Sequence, residues 1–204
     1  MSGYGFCAGT APSWSASHAA GVVLAREIAG MLDAPLDVLL IGKIDAPERP
    51  GTDLAAVGKG GVLITNHDAA ARLGVTPAEL RQAANRERAA LTRRMVAFRR
   101  ECRRTPVGGR TVLLVDDGVT TGATARAAIR VLRARGAGRI VLAVPFAPVD
   151  ALSQLDIGAD QTVYLCRQPC RQSVHSCYAE LPPFTDAAVI ALLKPVPDAE
   201  SVPA

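Results

Sequence analysis

Residues 112–124 have the sequence VLLVDDGVTTGAT, in which an apolar run leads directly into two acids, a glycine and small hydroxyl residues. The apolar run has the length and composition of a buried strand, and the spacing over 122–135 predicts a helix. Asp116 and Asp117 therefore follow a predicted strand, and residues 120–124 lie where the helix begins. In an open α/β sheet, ligands bind at this position, beyond the carboxyl ends of the strands.

The two halves of this stretch favour different chemical groups. Unpaired N–H groups and the dipole at a helix N-terminus attract a phosphate, and the Thr121 and Thr124 hydroxyls can donate to its oxygens. Gly122 lets the backbone come close to such a ligand. Asp116 and Asp117 would repel a phosphate and instead suit sugar hydroxyls or a hydrated magnesium ion. A ribose 5-phosphate group satisfies both halves. The alternative is an ordinary strand-to-helix turn, in which Asp and Thr cap the backbone.

Strands and helices alternate along the rest of the chain. The predicted strands are 36–41, 62–65, 112–115, 140–144 and 162–165, and the predicted helices are 18–32, 76–103, 122–135, 149–155 and 186–193. In the longest helix, Thr76 as N-cap, Pro77 at the first position and Glu79 at the third form a capping-box pattern. Residues 43–61 are predicted as a loop, with a hairpin between the region of 55–57 and the strand after it. The alternation predicts an α/β fold with a mostly parallel sheet and helices on both faces.

The chain of 204 residues has the size of one domain, which we place at residues 18–194. Residues 1–17 are predicted to be an irregular N-terminal segment, and the Pro-rich residues 195–204 a flexible tail. In particular, residues 4–17 do not have the pattern of a buried strand, because Gly, Ser, Pro and Thr interrupt them throughout.

Composition excludes several classes of protein. Hydrophobic residues make up 49% and charged residues 21% of the chain, which is typical of a globular protein. No apolar stretch is long enough to span a membrane and no secretory signal is present, so we expect a cytoplasmic protein without a membrane partner. The net charge of +4 comes largely from residues 72–104, which contain ten Arg and three Glu. This excess indicates either an anionic partner or a solvated helix face. Phe98 is the one interleaved aromatic residue, so no nucleic-acid partner is expected.

The stretch VLLVDDGVTTGAT resembles the signature with which type I phosphoribosyltransferases bind 5-phosphoribosyl pyrophosphate (PRPP). Residues 21–47, the sequence AVGKGG at 56–61, and the region from Cys177-Tyr178 to Asp186 are similar to a bacterial subgroup of that family without an assigned substrate. The resemblance implies that Asp116 and Asp117 hold the ribose 2′- and 3′-hydroxyls and a magnesium ion. It also implies that Thr120, Thr121, Gly122, Ala123 and Thr124 surround the 5′-phosphate, and that Lys43 lies near the pyrophosphate.

The reaction implied by the resemblance is transfer of the 5-phosphoribosyl group from PRPP to a nitrogenous acceptor, with magnesium as cofactor and pyrophosphate as leaving group. Thr120 stands where purine-salvage relatives carry an acid that assists proton transfer. A small hood formed by the terminal segments, including residues 171–178, would select the acceptor. The family also implies a homodimer as one possible assembly.

One loop and one single residue depart from the subgroup's pattern. Where the subgroup has a Pro-Arg-Gly-Gly loop for the pyrophosphate, this chain has His18-Ala19-Ala20-Gly21, and the Arg that usually precedes the lysine is Gly42. Both changes affect the pyrophosphate end of the site and leave the ribose-phosphate end intact. The alternative function is therefore a binding module for ribose 5-phosphate or a nucleotide, acting as a sensor or partner subunit without transferase activity.

Overall fold

A computed structural model describes residues 7–12, 20–46, 49–102, 104–147, 158–167, 178–179 and 185–194. The strands are β1 Cys7–Pro12, β2 Leu36–Ala46, β3 Arg49–Val57, β4 Leu63–Thr65, β5 Thr111–Val115, β6 Arg139–Ala147 and β7 Gln161–Arg167. The helices are α1 Ala20–Met31, α2 His67–Arg72, α3 Pro77–Glu101, α4 Ala123–Ala134 and α5 Asp186–Leu193, with a 3-10 turn at Lys59–Gly61. The helix predicted at 149–155 lies outside the described residues.

The seven strands form one sheet in the order β4-β3-β2-β1-β5-β6-β7. The pairs β1–β2, β1–β5, β5–β6 and β6–β7 are parallel. The pairs β2–β3 and β3–β4 are antiparallel and add a hairpin extension to one edge. The predicted α/β class with a mostly parallel sheet is confirmed.

The prediction of an irregular N-terminal segment is wrong for Cys7–Pro12, which forms the central strand β1. This strand pairs with β2 on one side, from Cys7–Leu36 to Pro12–Ile41, and with β5 on the other. Its sequence, CAGTAP, contains Thr10, which favours strands, but also Ala, Gly and Pro, which are depleted in them. Pairing with a neighbour on each side therefore outweighs the local composition.

The prediction of a loop over residues 43–61 is also wrong for most of its length. Strand β2 continues to Ala46, and β3 begins at Arg49 and returns antiparallel to it. The register of this pair shifts at Asp45, so the ladder is irregular near its tip. The predicted hairpin between the region of 55–57 and the next strand is confirmed as the β3–β4 pair. The sequence analysis missed the short helix α2 entirely.

Helices cover both faces of the sheet, as predicted. On one face α4 packs against β2, β5 and β6 around a cluster that includes Ile41, Leu114, Leu132 and Ile140. On the other face α1, α3 and α5 pack on β2, in a cluster that contains Val22, Val38, Leu40, Leu91, Phe98 and Val189. The α2 helix and the first half of α3 cover the hairpin extension. No helix in the described ranges has the length and apolar character needed to cross a membrane.

The start of α3 follows its predicted capping box. Thr76 Oγ1 accepts a hydrogen bond from the Glu79 N–H at 3.2 Å, and the Glu79 carboxylate accepts from the Thr76 N–H at 2.8 Å. Two donors that would otherwise be unpaired at the helix N-terminus are thus satisfied. Contacts within the first turn therefore favour a helix start at this position.

Candidate functional site

The two acids follow β5 directly and lie in the protein interior. Asp116 is 5% exposed and Asp117 is 3% exposed. The Asp116 N–H donates to the Ala143 carbonyl of β6 at 3.2 Å, which extends the parallel ladder by one residue. The Asp117 N–H then donates to Asp116 Oδ1 at 3.0 Å. The end of the strand therefore holds both carboxyl groups in a fixed arrangement at the carboxyl edge of the sheet.

Burial makes ionisation of Asp117 unfavourable. Loss of solvation, together with the neighbouring Asp116 carboxylate, raises the pKa of Asp117 to about 9. Its Oδ2 is buried and accepts no hydrogen bond from the described part of the chain. An unsatisfied buried carboxyl oxygen costs stability, and perturbed acids of this kind are concentrated at functional sites.

Magnesium fits the chemistry of this pair, because it prefers carboxylate oxygens and keeps several waters in its coordination shell. Within the described ranges, no group of three or more His, Cys, Asp or Glu side chains could hold a metal ion. Asp116 and Asp117 would therefore share an ion with oxygens from substrate and water. The same oxygens can accept hydrogen bonds from a sugar diol.

The loop from Gly118 to Gly122 connects the acids to α4. The Val119 N–H donates to the Phe146 carbonyl at 3.0 Å, which fastens the loop to the end of β6. Gly122 has a φ of 72°, in the left-handed region, and is the N-cap of α4. This conformation is available to glycine without steric cost. The first N–H groups of α4 have no partner within the helix, so this end of the helix can receive an anion.

Lys43 and the loop meet at a residue that the sequence analysis missed. Lys43 Nζ lies 2.5 Å from Asp53 Oδ1 and 3.8 Å from Asp45 Oδ1. Asp53 Oδ2 accepts hydrogen bonds from Thr121 Oγ1 at 3.0 Å and Thr120 Oγ1 at 3.3 Å. Asp53 is 5% exposed, so its charge is balanced by these contacts. The structure therefore brings Lys43 together with the predicted phosphate loop through Asp53.

The environment of Lys43 keeps it charged. Burial disfavours the ammonium form, but the Asp53 carboxylate, through its charge and its hydrogen bond, acts with the weaker charges of Asp45 and Asp117 to outweigh this effect, so the pKa of Lys43 is raised. The side chain is 16% exposed. Lys43 is thus a fixed cation beside the loop rather than a solvated surface lysine.

Tyr178 connects the C-terminal part of the chain to the acidic pair. Its hydroxyl donates to the main-chain carbonyl of Asp117 at 2.7 Å. Its ring meets Phe146 edge to face, with centroids 5.4 Å apart. Burial and the nearby carboxylates raise the pKa of Tyr178, so the hydroxyl keeps its proton and remains a donor. Most of the region predicted to form the hood, including residues 171–177, lies outside the described residues.

The position of Gly42 has no room for a side chain. A Cβ there would lie 2.6 Å from Glu87 Cγ and 2.6 Å from Val57 Cγ2. Burial raises the pKa of Glu87, whose Oε1 is enclosed next to this position. The Arg that the subgroup carries here would require the side chains of Glu87 and Val57 to shift. His18 and Ala19 lie outside the described residues, and Gly21 lies in the first turn of α1.

Several arginines of the basic segment contact the protein itself. Arg99 pairs with the buried Asp37 at 2.7 Å, Arg94 pairs with Asp186, and Arg88 donates to the Gly61 carbonyl at 3.1 Å. These three side chains attach α3 to the sheet, to α5 and to the 3-10 turn. Part of the basic excess therefore serves to hold α3 in place.

An α/β sheet with an acidic pair at the end of a central strand, followed by a helix with a glycine N-cap, has its ligand-binding edge at the carboxyl ends of the parallel strands and a helix N-terminus suited to an anion. The phosphoribosyl transferase domain model matches residues 18–162, and the chain belongs to that family. The resemblance drawn from residues 112–124 is confirmed.

Relatives of known sequence and structure agree with this assignment. Two curated relatives from two strains of Mycobacterium tuberculosis are each 38% identical to this chain over 173 residues. They are named "Putative phosphoribosyl transferase Rv0571c" and "Putative phosphoribosyl transferase MT0597". Each alignment covers 85% of this chain but only 39% of the relative, so the chain spans about two fifths of their length. The crystal structure of TT1426 from Thermus thermophilus is 34% identical, with a TM-score of 0.69 over 93% of this chain and 86% of that one.

Proposed function

We propose that this protein binds PRPP and transfers its 5-phosphoribosyl group to a nitrogenous acceptor. A bond forms between the acceptor nitrogen and C1 of the ribose, while the bond from C1 to the pyrophosphate oxygen breaks and its electron pair leaves with pyrophosphate. The acceptor nitrogen gives up a proton. The observation that carries the proposal is the buried pair Asp116 and Asp117 beside the glycine-capped N-terminus of α4.

Each part of the site has a role in this proposal. Asp116 and Asp117 accept hydrogen bonds from the ribose hydroxyls, and residues 120–124 receive the 5′-phosphate at the helix N-terminus. Lys43 supplies positive charge to the departing pyrophosphate. Magnesium, when bound at the acidic pair, would neutralise charge on the pyrophosphate and ribose oxygens. These contacts orient C1 toward the acceptor and stabilise the negative charge that develops on the leaving group.

Thr120 takes part as a loop residue. Its hydroxyl donates to Asp53 Oδ2, and a neutral hydroxyl is a poor base near neutral pH. We therefore propose that the acceptor loses its proton to water or to a group of its own. The homodimer and the cytoplasmic location expected from the sequence remain predictions.

The test is calorimetric titration of magnesium-PRPP and of ribose 5-phosphate into the wild-type protein and Asp117→Asn. We expect PRPP to bind at least tenfold more tightly than ribose 5-phosphate, equivalent to about 1.4 kcal/mol, and Asp117→Asn to lose both ligands. Asp186→Asn, a change at an exposed carboxylate on α5, is the control and should bind as the wild type does. Release of pyrophosphate in the presence of a panel of nitrogenous bases then identifies the acceptor. Absence of PRPP binding by the wild type would refute the proposal.

The second candidate function is a sugar-phosphate binding module without transferase activity. The lack of space at Gly42 and the replacement of the Pro-Arg-Gly-Gly loop favour it, because both features reduce the contacts available to pyrophosphate. Equal affinities for PRPP and ribose 5-phosphate, both dependent on Asp117, would support this alternative over the transferase.

A further inference from the structure

Strand β3 places Asp53 between the two phosphate-binding ends of the site. Its Oδ1 faces Lys43 Nζ at 2.5 Å, on the side assigned to pyrophosphate. Its Oδ2 faces the Thr120 and Thr121 hydroxyls, on the side assigned to the 5′-phosphate. Each carboxylate oxygen is therefore committed to one end of the site.

The Thr120 and Thr121 hydroxyls have no proton left to donate to a phosphate. A threonine hydroxyl has one proton to donate, and both Thr120 and Thr121 direct theirs to Asp53 Oδ2. Thr121 Oγ1 also accepts from the Ala123 N–H at 3.4 Å, which fixes the turn into α4. In this arrangement, the groups left to donate to a 5′-phosphate are the Thr124 hydroxyl and the backbone N–H groups of the loop other than those of Val119 and Ala123. This differs from the sequence expectation, in which the Thr121 hydroxyl donates to the phosphate.

We propose that Asp53 is a positioning residue that couples the two phosphate-binding ends, so that Thr121 acts on pyrophosphate binding through Asp53 and Lys43. This inference rests on the proposed function, and it extends it by assigning a role to a residue outside the signature stretch.

The coupling has a direct physical cause. Asp53 is almost completely buried, so water cannot replace a hydrogen bond that the carboxylate loses. If the Thr121 hydroxyl is removed, Oδ2 loses its shorter contact and keeps only the longer one with Thr120, so the carboxylate is held less firmly. Lys43 then loses a fixed counter-ion, and its ammonium group is no longer held in the position from which it meets a leaving group. Loss of the Thr121 hydroxyl would thus weaken pyrophosphate binding at the other end of the site, although Thr121 does not contact pyrophosphate.

The first experiment measures affinities of magnesium-pyrophosphate and ribose 5-phosphate separately, by calorimetry. Thr121→Val should weaken pyrophosphate binding at least fivefold, and Thr121→Ser, which keeps the hydroxyl, should restore it. Asp53→Asn should weaken both ligands, and the Asp53→Asn/Thr121→Val double variant should bind pyrophosphate no more weakly than Asp53→Asn alone. Unchanged pyrophosphate affinity in Thr121→Val, or losses that multiply in the double variant, would overturn the proposal.

Asp37→Asn is the matched control. Asp37 is also a buried aspartate, 1% exposed, which pairs with Arg99 and accepts the N–H groups of Val38 and Thr105. It lies at the start of β2, and the loop after β5 lies at the opposite end of the parallel strands. Asp37→Asn should reduce stability while both ligand affinities stay within twofold of the wild type. A loss of pyrophosphate affinity in this control equal to that in Asp53→Asn would mean that a general loss of stability explains the result.

The second experiment needs no ligand. Urea unfolding of the wild type, Asp53→Asn, Thr121→Val and the double variant forms a thermodynamic cycle, in which the effects should be clearly non-additive. Additive effects would overturn the coupling. A wild-type protein that binds neither ligand would refute the proposed function, and the unfolding cycle would still decide whether Asp53 and Thr121 are coupled.

Discussion

Replacing Asp117 by Asn should make the ligand-free protein more stable at neutral and alkaline pH, although it should abolish binding. The folded protein raises the pKa of Asp117 from 3.8 to about 9, chiefly because burial removes its solvation. Between these two values the folded state keeps a proton that the unfolded state has lost. Stability therefore falls as pH rises through this range, since deprotonation favours the unfolded chain. An asparagine is neutral in both states and avoids this loss.

The size of the effect follows from the pH interval. Each pH unit between the two pKa values changes the free energy of unfolding by about 1.4 kcal/mol, so about pH 5 to pH 8 corresponds to about 4 kcal/mol. The result requires the folded-state pKa of Asp117 to lie above this interval, since 3.8 lies below it. The stability of Asp117→Asn relative to the wild type should therefore rise by about 4 kcal/mol between these two conditions.

The assay is urea denaturation of both proteins at several pH values, with a chelator present so that no metal occupies the acidic pair. Asp186→Asn changes a half-exposed acid that pairs with Arg94 at the surface and serves as the control, whose free energy of unfolding should stay within about 1 kcal/mol of the wild-type value. If the curves for the wild type and Asp117→Asn run parallel from about pH 5 to pH 8, the carboxyl of Asp117 is ionised in the folded state and the reasoning is wrong.

Three further changes test other parts of the structure. Gly122→Ala should lose roughly 1–2 kcal/mol of stability because the φ of 72° is left-handed, and it should also lose ribose 5-phosphate binding. Gly136→Ala is its control: with a φ of 80° at the end of α4, it should lose similar stability but bind ribose 5-phosphate normally. Equal binding by these two variants would show that the N-cap conformation is not required for the ligand. Tyr178→Phe keeps the ring against Phe146 but loses the hydrogen bond to the Asp117 carbonyl. The affinity for magnesium-PRPP, measured by calorimetry, should therefore fall by about 1 kcal/mol. An unchanged affinity would mean that this hydrogen bond does not position Asp117. Arg99→Met should reduce the free energy of unfolding by about 3–5 kcal/mol, because it removes the cation that pairs with the buried Asp37. Lys194→Met breaks the half-exposed pair with Glu101 and should cost less than about 1 kcal/mol. Comparable losses in these last two variants would contradict the role of burial.

The core of the candidate site was predictable because its parts are adjacent in sequence. The apolar strand, the two acids and the helix start with its glycine all fall within residues 112–124. Asp53 was not predictable in this way, since its partners Lys43, Thr120 and Thr121 come from other parts of the chain. The one available signal was an acid directly before the apolar run LAAV at 54–57, in a segment that Pro and Gly made resemble a loop.

The fold shows the same division between local and distant causes. The capping box at Thr76 and Glu79 and the helix at 186–193 were located correctly, because each depends on residues within one or two turns. Strand β1 was missed because its small residues acquire strand structure only through pairing with β2 and β5.

The central position of β1 also has a consequence for the order in which the chain can assemble during synthesis. Residue Cys7 finds its first neighbour at Leu36 soon after it is made, but its second neighbour, Leu113, comes more than half a chain later. Any sheet that forms before then leaves one edge of β1 unpaired, and an unpaired strand edge can pair with another chain. The four strands β4-β3-β2-β1 are complete before β5 is translated, and the acidic pair emerges immediately after β5. The candidate site therefore cannot be completed until β5 and the residues after it have been made, so the pairing at the centre of the sheet and the acidic pair both depend on β5.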